Sequence, residues 1–499
     1  MKRYAPTPFV LLMMLAGCTM GPDFHTPAAP DATGWTREGV PSATAAAPGP
    51  GGGAQTFAAA EHAPHAWWTQ FGSAALDDLV DQALRASPTL DAARAKLVEA
   101  RENYNAQAGA TNFPSVDLKL SGTRQKVDLA AFGITQVPNP PPFTLYNASV
   151  SVSYVFDLFG ANRRALEATL AQVDYQAYEL EAARLSVAAN VVSTAIRYAS
   201  LQQQIALTRQ LADTQARQLA IMQARLAAGG VAQIDVRSQR TLLAQTRASL
   251  PPLETQRDAA DHQLAILLGV APSNTQFAAP LTALSLDTLH LPDTVSLTVP
   301  STLARERPDI RASEALLHQA GANVGVATAN LFPQISISAG IGSERTHIED
   351  IVSGLNIWNV GLGLTQPLFH GGELRAKKRA AQAAYEAAFA DYRQTVLQAL
   401  QQVADSLQAL QNDAVELQAR DDAAREAQAN AAIAQSRYQA GGVSEFSLID
   451  TQRQALQTML DRTRAHADRL TDTAALYQSL GGATLPGEAD RMDGPDQRN

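Results

Sequence analysis

Two kinds of periodicity alternate along the 499-residue chain, and each occurs twice. After Gly371 the apolar positions include Phe389, Tyr392, Val396, Leu400, Val403, Leu407, Leu410, Ala414 and Leu417. Steps of three and four keep them on one helix face, as in the seam of a coiled coil. Leu166, Leu170, Val173, Ala177 and Leu180 repeat the pattern earlier. The remaining positions are rich in Gln, Ala, Arg and Asp, strong helix formers or solvated polar groups. Each arm is ~65 residues, and if unbroken spans on the order of 100 Å at 1.5 Å per residue.

Both arms stop at Ala-Gly-Gly-Val, at Gly229-Gly230-Val231 and Gly441-Gly442-Val443, and a return arm follows. The same 212 positions separate Gly229 from Gly441 and Gly269 from Gly481. A common offset for a turn and a stop indicates an internal duplication.

The second periodicity is two. Val116, Leu118 and Leu120 alternate with Asp117, Lys119 and Ser121, and Val150, Val152, Tyr154 and Phe156 with Ser149, Ser151 and Ser153. Ile335, Ile337 and Ile341 alternate with Ser336, Ser338 and Gly340, and Trp358, Val360, Leu362 and Leu364 with Asn359, Gly361, Gly363 and Thr365. Such runs predict strands with one apolar and one polar face. Ser87-Pro88 and Arg307-Pro308, then Asn112-Phe113-Pro114 and Leu331-Phe332-Pro333, precede the strands at matching places. The predicted order is helix, strand, strand, long helix, turn, helix, twice over. Repeat one covers 67–270, with strands near 114–124 and 148–157 and a helical hairpin near 161–268. Repeat two covers 300–482, with strands near 333–342 and 357–367 and a hairpin near 372–480. Residues 271–299 connect them, and a disordered polar tail, 483–499, ends the chain.

Composition narrows the class. The net charge of −9 and the absence of clustered Lys/Arg argue against nucleic acid as a partner. A single cysteine rules out an intrachain disulfide framework. No apolar run reaches the ~18 residues of a membrane-spanning helix. No phosphate loop, His-Glu-x-x-His or Gly-x-Ser-x-Gly occurs, the nine histidines are scattered, and Asp77-Asp78 and Asp421-Asp422 sit on opposite helix sides. We expect no enzyme, no metal and no cofactor beyond lipid.

Lys2-Arg3, the apolar run Phe9–Leu15 and Leu15-Ala16-Gly17-Cys18 read as an export signal over 1–17. Its ending resembles a lipobox, so Cys18 is expected to carry a diacylglycerol thioether and, on its new amine, an acyl chain. Thr19 after it fits sorting to the outer membrane. Residues 18–66 are rich in Ala, Pro and Gly and read as a flexible tether. His62 and His65 lie within it.

Four amphipathic strands of ~10 residues have the length to cross an outer membrane. An open sheet cannot sit in lipid, because its edge groups find no partners, and four strands are too few to close a barrel. The chain must therefore pool strands with copies of itself, and three copies would supply twelve. Two soluble hairpins packed on helices are the alternative.

The chain resembles the outer membrane efflux protein family, the TolC-like channels, in particular the NodT-like lipoproteins of RND-type tripartite systems. The resemblance rests on Cys18 with Gly21-Pro22-Asp23-Phe24, Trp67-Trp68-Thr69-Gln70-Phe71, Arg307-Pro308-Asp309-Ile310 and Leu331-Phe332-Pro333. Gln366-Pro367-Leu368-Phe369 and the two Ala-Gly-Gly-Val turns complete it. It implies a mainly α protein with membrane β: a homotrimer whose 12-stranded barrel in the outer membrane of a Gram-negative bacterium continues into a 12-helix periplasmic barrel, with 271–299 in an equatorial belt. A periplasmic adaptor (membrane fusion protein) would join it to an inner-membrane RND-type pump that expels drugs or other toxic small molecules.

By the same resemblance the periplasmic gate comprises Phe446 as an apolar ring, Asp450 as an acidic ring and Arg453 as an ion-pair partner, one helix face at i, i+4 and i+7. Asp235, just after the first turn, is a further gate candidate. Arg225, Gly229, Gly230, Val231, Arg437, Gly441, Gly442 and Val443 are the expected adaptor contact, and helix capping by glycine is compatible with it. Trp358 and Tyr154 suit an interfacial aromatic belt. Two other readings stay open: a duct for type I protein secretion, and a lipid-anchored structural coiled coil bracing the envelope.

Overall fold

The computed structural model describes residues 19–28, 34–60, 62, 64–274, 281 and 283–482. Cys18, the signal and the tail beyond Gly482 lie outside them. The described residues pack as two units, divided within four helices: those of 19–27, 96–177 and 312–392, and those of 28–95, 178–311 and 393–482.

The first unit is built on a four-stranded antiparallel sheet, β2 (Ser115–Gln125), β3 (Phe143–Phe156), β5 (Gln334–Arg345) and β6 (Ile357–Thr365). Strand order is β2-β3-β5-β6, so β3 and β5 join the two hairpins and β2 and β6 are the edges. Register brings Leu118 opposite Val150, Val150 opposite Ile341, and Ile341 opposite Trp358. Directly paired residues share a face, so the four alternating runs merge into one apolar surface. β3 begins five residues before the expected start, because Phe143–Asn147 continue the ladder with β2. Phe332 of the Leu-Phe-Pro motif stacks on Phe159, centroids 4.9 Å apart.

The first unit also holds part of the expected tether. Met20 donates its N–H to Phe159 (3.2 Å), Arg164 pairs with Asp23 (2.6 Å), and the Phe24 ring stacks on His318 at 4.3 Å.

The helices are α1 (Ala74–Ala86), α2 (Pro88–Asn112), α3 (Ala161–Ala227), α4 (Gln233–Ala248), α5 (Leu250–Leu267), α6 (Pro300–Glu306), α7 (Pro308–Ala329), α8 (Glu373–Gln439) and α9 (Glu445–Ser479). α3 and α8, the outgoing arms, each run 67 residues without a break. The return arms differ. α9 is continuous over 35 residues, whereas the first return arm is split at Ser249 into α4 and α5. Pro251 and Pro252 lie in the first turn of α5; proline has no N–H to give and is tolerated only at a helix start. The duplication is therefore imperfect at this point.

In the second unit Trp67 is buried and stacked on Tyr477 at 5.7 Å, with Phe71, Leu76, Leu79, Ile196, Leu264 and Leu476 completing a core. Arg307 of the Arg-Pro-Asp motif is buried there: Nε donates to Asp309 (2.8 Å), Nη1 to the Ser479 carbonyl (2.9 Å), and Nη2 to Gln402. The motif ties the start of α7 to α8 and to the end of α9.

The rest of the tether expectation also needs correction. β1 (Thr56–Ala59) pairs in parallel with β4 (Thr294–Leu297) of the connector, and Ala43 bridges to Thr56. Gly51 and Gly53 offer carbonyls to the fully buried Arg469, 2.9 and 2.8 Å away, and Thr44 offers its hydroxyl at 2.9 Å. Gln55 donates to Thr473 (3.3 Å). Gly51 has φ +72°, and a Cβ there would strike the His466 ring. An Ala/Pro/Gly segment has little apolar surface of its own. It is held by its backbone groups, which composition does not count.

Candidate functional site

Two places carry the expected function, one in each unit. In the first unit the apolar face runs across Val116, Leu118 and Leu120, Ala148, Val150, Val152 and Tyr154, Ile335 and Ile337, then Trp358, Val360, Leu362 and Leu364. On the edge strands it is bare: Leu118 and Leu120 are 70% and 71% exposed, and Leu362 is 76%. The opposite face carries Asp117, Lys119, Ser151, Ser338, Asn359 and Gly361. Contiguous apolar exposure on this scale marks a surface that water does not cover.

Trp358 and Tyr154 both lie on the apolar face but not at one level. Trp358 lies in the row of Ile341 and Val150, Tyr154 in the row of Ile337 and Leu362. Four residues along a strand is about 13 Å. Two further aromatics on this face were not among the expected belt residues. Tyr146 lies over Gly122 near one end of β3, and Phe156 packs edge-on against Tyr154 (5.4 Å) near the other.

In the second unit the two glycine turns are copies of one another. Gly229 donates to the Leu226 carbonyl (2.9 Å) and Gly230 to that of Arg225 (2.8 Å); Gly441 donates to Tyr438 (3.0 Å) and Gly442 to Arg437 (2.8 Å). Gly229 and Gly441 share φ +76°, the left-handed conformation that ends helices and that a Cβ opposes. Val231 and Val443 are half-exposed, and the Arg225 and Arg437 side chains are exposed.

The return arms start differently. Ser444 accepts the Ser447 N–H with its hydroxyl (3.3 Å), whereas Asp235 accepts the Ala232 N–H with its carboxylate (3.1 Å). Asp235 thus closes the first turn of its own helix.

Of the expected gate face, Phe446 is 78% exposed, an apolar ring standing in solvent. Arg453 pairs with Asp450 at 2.8 Å on the same helix. On the inward side of the same stretch Leu448, Gln452 and Ala455 are buried.

The turns also touch each other, where Arg225 of the expected adaptor contact meets Tyr438 and Glu445, which spacing and motif did not single out. The Arg225 guanidinium lies over the Tyr438 ring, 5.8 Å from its centroid, and the Tyr438 hydroxyl donates to Glu445 (3.3 Å). Burial raises the Glu445 carboxyl above its ordinary value; the Tyr438 hydrogen bond lowers it, the Asp235 charge raises it and Arg225 lowers it. Burial, then the Glu445 charge, raises the Tyr438 phenol. Only the position of Glu445 right after Ser444 could have flagged it, as an acid in a helix first turn.

The sequence profile of the outer membrane efflux protein family matches residues 79–270 and 299–482. The pyoverdine export outer membrane protein OpmQ of Pseudomonas putida is 31% identical over 420 residues, 83% of this chain and 87% of that one. The solvent efflux pump outer membrane protein SrpC of Pseudomonas putida is 29% identical over 489 residues, 96% of this chain and 98% of that one. The solved outer-membrane channel OprN aligns with a TM-score of 0.80 at 28% identity, over 93% of this chain and 99% of that one. With both duplicated halves matched and the sheet and hairpins in place, this chain belongs to the outer membrane efflux protein family.

Proposed function

We propose that three copies of this chain assemble into a passive duct through the outer membrane, the exit component of a tripartite efflux system. The observation that carries the trimer is the four-stranded sheet with one apolar face and two unpaired edges, β2 and β6. Unpaired edge groups in lipid cost several kcal/mol each, so a spanning sheet must close. β2 of one copy against β6 of the next closes it, and twelve strands make a barrel of ordinary size. Tyr146 toward one end, with Tyr154 and Phe156 toward the other, then serve as two aromatic girdles, and Trp358 lies in the row midway between Tyr146 and Tyr154.

The glycine turns form the periplasmic tip in this reading. Phe446 and Asp450 supply an apolar and an acidic ring, Arg453 offsets the acid, and the Arg225–Tyr438–Glu445 contact with Asp235 holds the hairpins together at rest. Three carboxylates in one neck repel one another unless offset, which favours cations and leaves the neck poised to open. A periplasmic adaptor grips the exposed turns, from Arg225 to Val231 and Arg437 to Val443, and an inner-membrane RND-type pump supplies the energy. Cys18 carries the lipid. Cargo is small organic molecules, in line with the solvent and pyoverdine export named for the relatives.

The experiment is conductance of the detergent-extracted protein in planar bilayers, with its mass measured in parallel. Trimers with cation-selective channels are expected. Monodisperse single copies without conductance would overturn the reading.

A further inference from the structure

The helices of the second unit bury two different kinds of surface along their length. α3 buries Val187, Val191, Val192, Ala195 and Ile196, and α9 buries Leu470, Ala474, Leu476 and Tyr477. Beyond Gln204, toward the turns, buried amides are interleaved with aliphatic side chains such as Met222, Val236, Leu242 and Leu448. Gln204, Gln215 and Gln218 on α3, Gln239 on α4 and Gln452 on α9 are all buried. The first of these amides, Gln204, accepts from Arg464 of α9 on its oxygen at 3.1 Å.

These amides join the arms of each hairpin, and at one point the two hairpins, with few and long bonds. Gln452 Nε2 reaches Gln218 Oε1 of the first hairpin (3.3 Å) and Gln435 Oε1 of its own outgoing arm (3.2 Å). Gln239 Nε2 donates to the Gln215 backbone carbonyl (3.2 Å). Both polar atoms of the Gln215 side chain, Gln218 Nε2, Gln239 Oε1 and Gln452 Oε1 have no protein partner. A buried amide atom left unpaired costs on the order of 1–3 kcal/mol, so the resting contact carries a penalty that separation relieves through water. Aliphatic side chains of similar size would carry no such penalty, and moving them apart would expose apolar area. Amides can also exchange partners as helices shift, whereas interdigitated aliphatics hold one register.

We propose that this glutamine seam is the slip joint of the hairpins, with Gln452 and Gln218 as its positioning residues, so that opening is confined to the stretch between Gln204 and the turns. Gln452 lies between Asp450 and Arg453 in sequence and faces inward where they face out, which couples the joint to the expected gate. The inference rests on the tip gate only in that last coupling. The seam itself stands on burial and bonding.

The test pairs Gln218→Leu with Gln452→Leu in the full trimer and reads hydrogen exchange. In the wild type, amides of α4 and of the first turns of α9 should exchange at least tenfold faster than those around Val191 and Leu476. The double variant should slow the tip amides about tenfold and leave the others alone, and Gln452→Glu, which keeps a polar group there, should leave the tip fast. Equal exchange in both stretches of the wild type, or a double variant that exchanges like it, would overturn the joint. Conductance is read separately on Asp450→Ala with and without the leucine pair. A leak that the pair suppresses supports the coupling. A leak it leaves unchanged sinks the coupling alone, and no leak from Asp450→Ala refutes the gate without touching the exchange result.

Discussion

Arg225 of the first hairpin and Tyr438 of the second meet face on, the guanidinium carbon 5.8 Å from the ring centroid. A cation over an aromatic face is worth roughly 0.5–2 kcal/mol, and the ring's hydroxyl passes the contact on to Glu445. Tyr438→Phe keeps the ring and loses only the hydrogen bond. It should raise resting conductance slightly, and Arg225→Ala with Tyr438→Ala should raise it severalfold. Single-channel recordings of the two variants would show whether the order holds.

Asp450→Ala removes the acidic ring and frees Arg453, its partner at 2.8 Å. The exposed pair contributes little to stability, so trimer melting should move by no more than about 2 °C for a ~0.5 kcal/mol change. Resting conductance and entry of large antibiotics should rise. An unchanged leak with an intact trimer would remove Asp450 from the gate.

Arg469→Ala strips Gly51, Gly53 and Thr44 of their buried donor. Leaving such acceptors unpaired costs about 3 kcal/mol. Limited proteolysis should then cut within 43–59 while the helices stay intact, and Arg469→Lys should protect only partly, because an ammonium lacks the planar fork.

Asp413 on α8 faces Asp472 and Asp468 on α9, with Glu416 and Arg469 close by. Burial first, then a hydrogen bond to Asp472 and the neighbouring carboxylates, pushes Asp413 up to about 7. The folded protein therefore binds a proton that the unfolded chain, titrating near 3.8, has released. That stabilisation is complete below about pH 4 and is lost as pH rises through about 7. His466 works the other way: burial lowers it to about 4, so its contribution is lost as pH falls from about 6.5. Asp413→Asn should flatten the decline in melting temperature between about pH 4 and pH 7, the window between the unfolded and folded values. A wild type and variant with parallel pH profiles would exclude a shared proton.

Cys18→Ser should abolish labelling by radioactive palmitate while leaving the 19–24 segment competent to bind, because Asp23 and Phe24 make their own contacts with Arg164 and His318. Labelled Cys18→Ser protein would place the lipid elsewhere.

Elements with a local cause are legible in the order of residues alone. Alternation in Val116–Leu120 and Trp358–Leu364 needs only the pleat of a strand, and the heptad steps from Phe389 to Leu417 need only the pitch of a helix. Gly229 and Gly441 announce their turns because a left-handed residue at a helix end is almost always glycine. The break at Ser249 is written in Pro251-Pro252, but the second return arm has no counterpart, so the duplication argues for a continuous helix where there is none. The aromatics Tyr146 and Phe156 stand in plain view too, yet only the register of β3 against β2 and β5 shows which level each occupies.

The sequence by itself determined the duplication, the four amphipathic strands, the two hairpins and their glycine stops, since each follows from side-chain spacing within one stretch of chain. Tertiary structure alone decided that β3 and β5 join the hairpins, that Arg469 grips a segment more than 400 positions away, and that Gln452 meets Gln218 between the arms near the turns. The physical reason is the same in each case. A backbone carbonyl or an amide is present at many positions and favours no partner until the chain is packed, whereas a period of two or of seven is already complete in the order of the residues.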